Sequence, residues 1–323
     1  MEKITRKNSS ERVNDAVFRE LIKRGYSVEG KNKVWNIADS KLWYLTSEQA
    51  RAFLDLEKKD IKQRMFAKKE ESLLKEKFSE LTSGIKDKHV TIIDLGCGNG
   101  EKALSFIRRF KDKSKIRYCP IDINGFMVEQ ALKNFSKHKG INILKFKNNV
   151  LDFIDFGRIA DSLKKDKFSK SYILLLGGNL ENSDVHELLH EIRSAMHEGD
   201  CLLIGNKLAH PDPMKMVQYY NHSKHIDYLL VKTLEQLGFH PNELNYGARF
   251  RGNRVEVLYT VKNDKTISSK GKTVEFKAGD KIIVIFSYKY TQDSLKEVLM
   301  MYFGSVEVFA SKDGIFALAL CKK

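Results

Sequence analysis

Cysteine is scarce in this chain, and none of Cys97, Cys119, Cys201 and Cys321 stands in a C-x-x-C pair. That spacing argues against a zinc ribbon or a disulfide framework. No run of about eighteen apolar residues exists, so no transmembrane helix is expected. The opening stretch Met1-Glu2-Lys3-Ile4-Thr5-Arg6 has no apolar h-region or cleavage site, which makes a cytoplasmic protein the default expectation. Repeats and low-complexity tracts are missing as well. Acidic residues are in deficit: 42 Asp and Glu against 57 Lys and Arg leave a formal charge of +15. Such an excess can mark nucleic-acid binding. Here lysine dominates, is spread along the chain, and forms no arginine cluster with interleaved aromatics. A solvated basic surface is therefore favoured over a nucleic-acid groove, with a polyanionic partner left open.

What is present is enough apolar sequence, 42% of 323 residues, for one large domain or two small ones. The chain is organised around Val90-Thr91-Ile92-Ile93-Asp94-Leu95-Gly96-Cys97-Gly98-Asn99-Gly100. An apolar, β-branched run enters a glycine turn, and Glu101 to Ile107 then takes up helical spacing, so the stretch reads as strand, turn, helix. Gly96 and Gly98 remove side chains where a ligand must approach the backbone. The helix behind them offers free N–H groups. A dinucleotide fingerprint would want a third glycine where Glu101 stands. Asp94, leading the loop, would repel a pyrophosphate and suits a cation, the amino end of S-adenosylmethionine. Asp122 ends the next strand, where a ribose hydroxyl pair would lie. Asp152 and Phe153 follow a third strand and can bracket an adenine. A glycine turn from some other α/β protein is the competing reading of the turn taken alone.

Around this turn the elements alternate. Strands are expected at Tyr118–Ile123, Ile141–Phe146, Ser171–Leu176 and Cys201–Ile204, with helices between them at Phe126–Phe135, Ile159–Leu163 and Val185–Met196. This rhythm predicts an α/β protein with a doubly wound, mostly parallel, Rossmann-like sheet. Before it, Val13, Val17, Phe18, Leu21 and Ile22 share a helical face. Tyr26, Trp35, Trp43 and Tyr44 form an aromatic-dense stretch that either packs or covers a pocket. Thr46 or Ser47 caps a long helix running to Leu81, whose alternating Lys and Glu read as a solvated face. After Ile204, helices around Tyr219, Tyr220 and Leu237 give way to alternating segments at Arg254–Val261, Thr273–Phe276 and Lys281–Tyr288. These suggest antiparallel strands with one wet face. The expected organisation is a helical N-terminal lid or substrate segment (1–85), a cofactor domain (86–205), an α+β substrate lobe (206–286), and a return to the main sheet (287–323). His186 and His190 share a helical face but lack a third ligand at fitting spacing, so no metal is expected. Cys97 is read as a small residue of the turn, since no histidine partner can be assigned to it.

At Glu101-Lys102, Asp152-Phe153 and Gly177 to Asn182 the sequence resembles the histidine-specific N-methyltransferases that form hercynine for ergothioneine, and their ergot-alkaloid relatives. The likeness spans nearly the whole chain in the right order. It implies an S-adenosylmethionine-dependent methyltransferase with Gly96, Gly98, Lys102, Asp122, Asp152 and Phe153 on the cofactor. Trp43-Tyr44-x-Thr46 matches the family's entry segment, which brings Tyr44 to the cofactor and makes Tyr26 the partner of the reacting amine. Gly177-Gly178-Asn179-Leu180-Glu181-Asn182 matches a loop whose asparagine, here Asn182, holds the acceptor's amino acid end. Asp212-Pro213 with Tyr220 matches a motif whose tyrosine meets the acceptor's carboxylate. Phe286-Ser287-Tyr288-Lys289 aligns Ser287 with the family's pocket serine. Two positions depart from the pattern. The acid that grips an imidazole is Ile285 here, and a pocket methionine is Val257. An isoleucine leaves an imidazole N–H unpaired, which argues against histidine as the acceptor.

The reading is thus an N-methyltransferase for an amino acid or related small amine other than histidine. Asn182 and Tyr220 hold the acceptor, Tyr26 takes its proton, and Val257 and Ile285 shape the pocket. A methyltransferase acting on RNA or protein is one rival, drawn from the charge. A non-catalytic relative is another, opposed by the retained Asp94, Gly96, Gly98, Asp122 and Asp152.

Overall fold

The computed structural model describes residues 9–85, 88–144, 150, 155–164 and 167–323, with side chains from residue 15 onward. The chain divides into two compact units: residues 1–56 with 212–287, and residues 57–211 with 288–323.

The second unit is built on seven strands: β1 (Val90–Leu95), β2 (Ile116–Ile121), β3 (Asn142–Ile143), β4 (Lys170–Leu175), β5 (Cys201–Lys207), β6 (Ser305–Ala310) and β7 (Phe316–Lys322). They lie in the order β6-β7-β5-β4-β1-β2-β3. Neighbours from β3 to β5 run parallel, while β7 is antiparallel to both β5 and β6. Strand β1 is buried at every position because helices cover both faces of the sheet, which is why its sequence is mainly apolar on both faces rather than alternating, with Thr91 and Asp94 buried as well. Ile93 and Leu95 pack on one side with Leu189, Ile192 and Leu295. Val90 and Ile92 pack on the other with Leu73, Leu74, Phe106 and Phe135. The order reverses beside β1, since β2 lies to one side and β4 to the other. This is the switch point at which open α/β sheets bind ligands, off the carboxyl ends of their strands. The expected doubly wound, mostly parallel sheet is present.

The first unit holds a five-stranded sheet in which Tyr26–Glu29, Asn32–Asn36, Lys281–Tyr288, Arg254–Val261 and Leu244–Arg251 are successive neighbours. A separate hairpin pairs Lys265–Ser269 with Lys272–Phe276. Helices Pro213–His222 and Lys224–Glu235 belong to the same unit, and Leu230, Leu234, Trp43, Val257 and Ile285 share its core.

Several local expectations change. The long helix expected to reach Leu81 is broken at Asp60, whose carboxylate accepts the N–H groups of Lys62 and Gln63, both at 3.0 Å. It therefore caps a new helix, Ile61–Glu76, as an aspartate does best at an N-terminus. That helix packs on β7, which assigns residues 57–85 to the sheet unit rather than to the N-terminal segment. The N-terminal segment is not purely helical, since Tyr26–Glu29 and Asn32–Asn36 form a hairpin. The polar side of Arg254–Val261 is not wet: Glu256 is fully buried, held by Arg249 and Arg254 at 2.8 Å each. A helix at Gln292–Met300, unforeseen from its sequence, starts from a Thr291–Ser294 capping box.

Candidate active site

At the end of β1 the turn takes three left-handed glycines, with φ of +71° at Gly96, +52° at Gly98 and +75° at Gly100. Only glycine adopts such a run without strain. The amides of Gly96 and Cys97 donate to the Ile121 carbonyl at 2.8 and 3.1 Å, so the turn is pinned to β2. A Cβ built on Gly98 meets nothing within 4 Å, so the backbone there is open to a ligand. A Cβ on Gly100 would instead come within 3.0 Å of Ala131. Glycine at 98 thus keeps an approach clear, while glycine at 100 allows close packing.

Asp94 is buried, and the Tyr118 hydroxyl donates to it at 2.8 Å. Burial raises its carboxyl to about 7, against the opposing pull of that hydroxyl and of Lys102. A buried carboxylate so short of positive charge fits a cationic ligand. Asp122 is raised by burial to about 6, although it accepts the amides of Asn124 and Gly98 at 3.0 Å each. Its second role is therefore to hold the glycine turn in shape. Cys97 is buried, and burial pushes its thiol far above the ordinary range, which removes it as a nucleophile.

The loop after β4 contains Gly177 and Gly178, at φ of +81° and +80°. The Gly177 amide donates to Glu70 Oε1 at 2.9 Å. Asn179 reaches the Leu95 carbonyl of β1 at 3.4 Å, and Asn182, half-buried, meets the Gly178 carbonyl at 3.4 Å. Glu181 is buried between Lys207 at 3.0 Å and Lys289 at 2.8 Å. Burial alone would raise Glu181, but the two ammonium groups outweigh it and hold the carboxylate below its usual range. Lys102 sits at the start of helix Glu101–Ile107, 3.1 Å from Glu57 and 3.8 Å from Glu70. Burial would lower its ammonium, but Glu57 and Glu70 more than compensate and keep it charged.

Asp94, Gly96, Gly98, Lys102, Asp122, Gly177 and Asn182 all belong to the sheet unit. Asp152 and Phe153 lie outside the described residues. The remaining candidates belong to the other unit. Tyr220, on helix Pro213–His222, donates its hydroxyl to Ser287 at 3.0 Å, and both side chains are buried. Val257 and Ile285 are buried in the same apolar core as Tyr220. Tyr26 is 49% exposed on the hairpin, its ring 4.7 Å from Trp35 with the Lys33 ammonium 4.7 Å above it. Tyr44 packs edge-on against Phe53 at 5.1 Å. Trp35 in turn meets Phe276 at 5.3 Å, so Tyr26, Trp35 and Phe276 form a packed column, while Trp43 packs with Tyr44 and Tyr44 with Phe53. His186 contacts the Tyr302 hydroxyl at 2.7 Å, and among the described residues no group of three His, Cys, Asp or Glu could hold a metal ion.

Glu57, Glu70 and Lys207 carry no sequence signal for this site, while Glu181 and Lys289 stand inside matched motifs without being singled out there. The acids at 57 and 70 fall in a Lys/Glu pattern that looks solvated, and only a glycine at 205, inside a strand with ordinary torsions, hints that something large lies against it.

The residues present fit S-adenosylmethionine: a buried carboxylate for its cationic end, an open glycine turn, and Asp122 at the second strand end. Solved structures that this chain resembles include a S-adenosylmethionine-dependent methyltransferase from Clostridium acetobutylicum ATCC 824, 14% identical over 86% of this chain and 99% of that one, at a TM-score of 0.45. A protein from Pyrococcus horikoshii OT3 is 12% identical over 85% and 98%, at 0.42. No curated protein sequence matches. The family described as "Histidine-specific methyltransferase, SAM-dependent" matches residues 63–323, a span that excludes Tyr26 and Tyr44. With its strand order, its glycine turn and that match, the chain belongs to the S-adenosylmethionine-dependent, histidine-specific methyltransferase family.

Proposed function

We propose that this methyltransferase acts on the amino group of an amino acid or a related small amine other than histidine. One observation carries the reading: Ile285, buried in an apolar core with Val257, stands where the resemblance expects the acid that would pair with an imidazole. Ile285 offers only hydrocarbon where that acid would stand, so an imidazole N–H facing it is left unpaired, a loss that sites built on hydrogen bonds turn into large discrimination. An apolar or aromatic side chain on the acceptor carries no such cost.

S-adenosylmethionine, when bound, supplies a methyl group already attached to a sulfonium leaving group. What the chain adds is mainly positioning. Asp94 and Asp122 hold the cofactor's charged and hydroxylated ends, and the bare backbone of Gly96 to Gly98 lets it lie close. Asn182 and Tyr220 fix the acceptor's amino acid end, with Ser287 orienting the Tyr220 hydroxyl. The amine must arrive unprotonated, because an ammonium has no lone pair, and Tyr26 relays that proton, directly or through water, its phenol oxygen taking it as the hydroxyl proton passes on to solvent.

The test is incubation with labelled cofactor and a panel of amino acids, histidine included, together with amines, peptides and RNA, followed by mass spectrometry of the products. Saturable methylation of a free amino acid or amine other than histidine supports the assignment. Preference for histidine overturns it. Label confined to RNA or protein overturns it too, and would point to the +15 charge as the recognition element.

A further inference from the structure

Tyr118 lies beside the cofactor turn and carries a polar atom that its packing does not call for. It stands on β2, fully buried, with its ring 3.5 Å from that of Phe135 and 6° from parallel. Phe135 belongs to helix Gly125–Ser136, so the stack joins β2 to that helix. The ring alone makes this contact, and a phenylalanine would make it as well. The hydroxyl is explained instead by what it reaches, Oδ2 of Asp94 on β1 at 2.8 Å. In the parallel register Tyr118 is paired with Ile92, two residues short of Asp94, an offset of about 6.6 Å along the strand that a phenol is long enough to cover. We propose that Tyr118 is a positioning residue for cofactor binding, whose hydroxyl holds Asp94 ionised and leaves Oδ1 for the cationic end of S-adenosylmethionine. This rests on the assignment of Asp94 as the acid that meets that end.

Burial works against the charge on Asp94 and raises its carboxyl to about 7. Of the groups around it, the Tyr118 hydroxyl pulls hardest in the other direction, followed by Lys102 through space, while Asp122 and Glu70 push the carboxyl further up. Tyr118 does not titrate near neutrality. Burial, with Asp94, Cys97 and Cys119 beside it, pushes its phenol far above the ordinary range. It is therefore a permanent donor, and a permanent donor favours the carboxylate over the neutral acid. A neutral donor has a further consequence. An arginine or lysine in the same place would hold Asp94 ionised by cancelling its charge. A phenol stabilises the carboxylate through a charge-assisted hydrogen bond and leaves the negative charge for the ligand. The stack on Phe135 fixes the ring, and with it the direction of the hydrogen bond.

The test needs no acceptor, so its failure and the failure of the acceptor assignment are separate results. Tyr118→Phe keeps the ring and removes one oxygen. Affinity for S-adenosylmethionine is measured by calorimetry from about pH 6 to about pH 8.5 in parent and variant, and the ratio of the two is taken at each pH, so that titration of the ligand's own amino group cancels. Loss of the donor raises the Asp94 carboxyl, by about one unit for a hydrogen bond to a charged group. The variant is then expected to bind about tenfold more weakly than the parent at pH 6 and within about twofold of it at pH 8.5. A loss that is the same at every pH makes Tyr118 a packing residue and overturns the proposal, and so does parental affinity throughout. Asp94→Asn is measured alongside. Where Asp94→Asn binds weakly and the ratio is flat, the role of Tyr118 falls alone. Parental affinity in Asp94→Asn removes the assignment of Asp94 and the proposal with it. Should Tyr118→Phe not fold, 3-fluorotyrosine installed at position 118 is the second probe. Its more acidic hydroxyl is a stronger donor and is expected to move the fall in affinity to lower pH. A fall that stays in place or moves to higher pH refutes the role of the hydroxyl.

Discussion

The hydroxyl of Tyr220 donates to Oγ of Ser287 across 3.0 Å, joining helix Pro213–His222 to strand Lys281–Tyr288 in the core that Tyr220 shares with Val257 and Ile285. Tyr220→Phe leaves the buried serine without that donor and should lower stability by about 1 kcal/mol. If Tyr220 holds the acceptor, its KM should rise about tenfold while the affinity for S-adenosylmethionine stays within about twofold. Asn182→Ala should show the same split. Steady-state kinetics on the acceptor that the labelled-cofactor panel identifies, beside calorimetry for the cofactor, checks both, and an unchanged KM in both variants would remove the amino acid clamp.

Ile285 is the point at which acceptor choice is tested most directly. Ile285→Glu brings a carboxyl into the pocket and should raise the ratio of histidine to preferred-acceptor turnover by about tenfold or more. It should also cost about 2–4 kcal/mol, because a buried acid without a partner is desolvated. Competition between the two acceptors, with thermal melts of the same samples, measures both effects. A variant that gains nothing toward histidine would show that position 285 does not face the acceptor.

Asp94 links cofactor binding to pH. Its carboxyl titrates at about 7 in the free protein, and only the charged form attracts a cation. Affinity for S-adenosylmethionine should therefore level off above about pH 8 and fall as pH drops below 7, approaching tenfold per unit. Asp94→Asn should bind weakly with no such slope. The sign for stability is opposite. A carboxyl raised above its ordinary 3.8 favours the folded state at low pH, and that contribution is lost as pH rises through about 7. Calorimetry across this range, with and without cofactor, separates the two.

Glu29 behaves in the other direction. Arg249 grips it with two hydrogen bonds of 2.7 Å, and against the cost of partial burial this guanidinium, with Lys281, lowers its carboxyl to about 2. The resulting stability is present above the ordinary value near 4.5 and is lost as pH falls from there toward 2. Glu29→Gln should remove about 1–2 kcal/mol at neutral pH and flatten the acid limb of the unfolding curve. Chemical denaturation at several pH values would reveal it, and an unchanged acid limb would count against the network.

Local signals in the chain were strong enough to read the sheet. Val90, Ile92, Ile93 and Leu95 make the run mainly apolar, the glycines at 96, 98 and 100 follow at once, and acids close β1 and follow β2. Each of these is a property of a few consecutive residues. Glu70 was not readable in that way. Its neighbours Lys68, Lys69 and Glu71 make an amphipathic pattern in which every charge looks wet, and nothing within the helix says which one turns inward. The same holds for Glu256, buried between two arginines on a strand whose alternation suggested solvent. Asp60 interrupts a helical pattern that is otherwise continuous, because a capping aspartate resembles one more charged residue until the backbone turns at it.

By itself, then, the sequence determined the strand–turn–helix segment and the left-handed turn that only glycine tolerates. These follow from torsional preference and local periodicity, which act over a few residues. Tertiary structure decided which acids lose their water. It also joined Asn32–Asn36 in parallel to Lys281–Tyr288, and brought Glu70 against Gly177 and Gly205. The last two depend on partners more than a hundred positions away, and desolvation is a property of the packed site rather than of the residue that enters it.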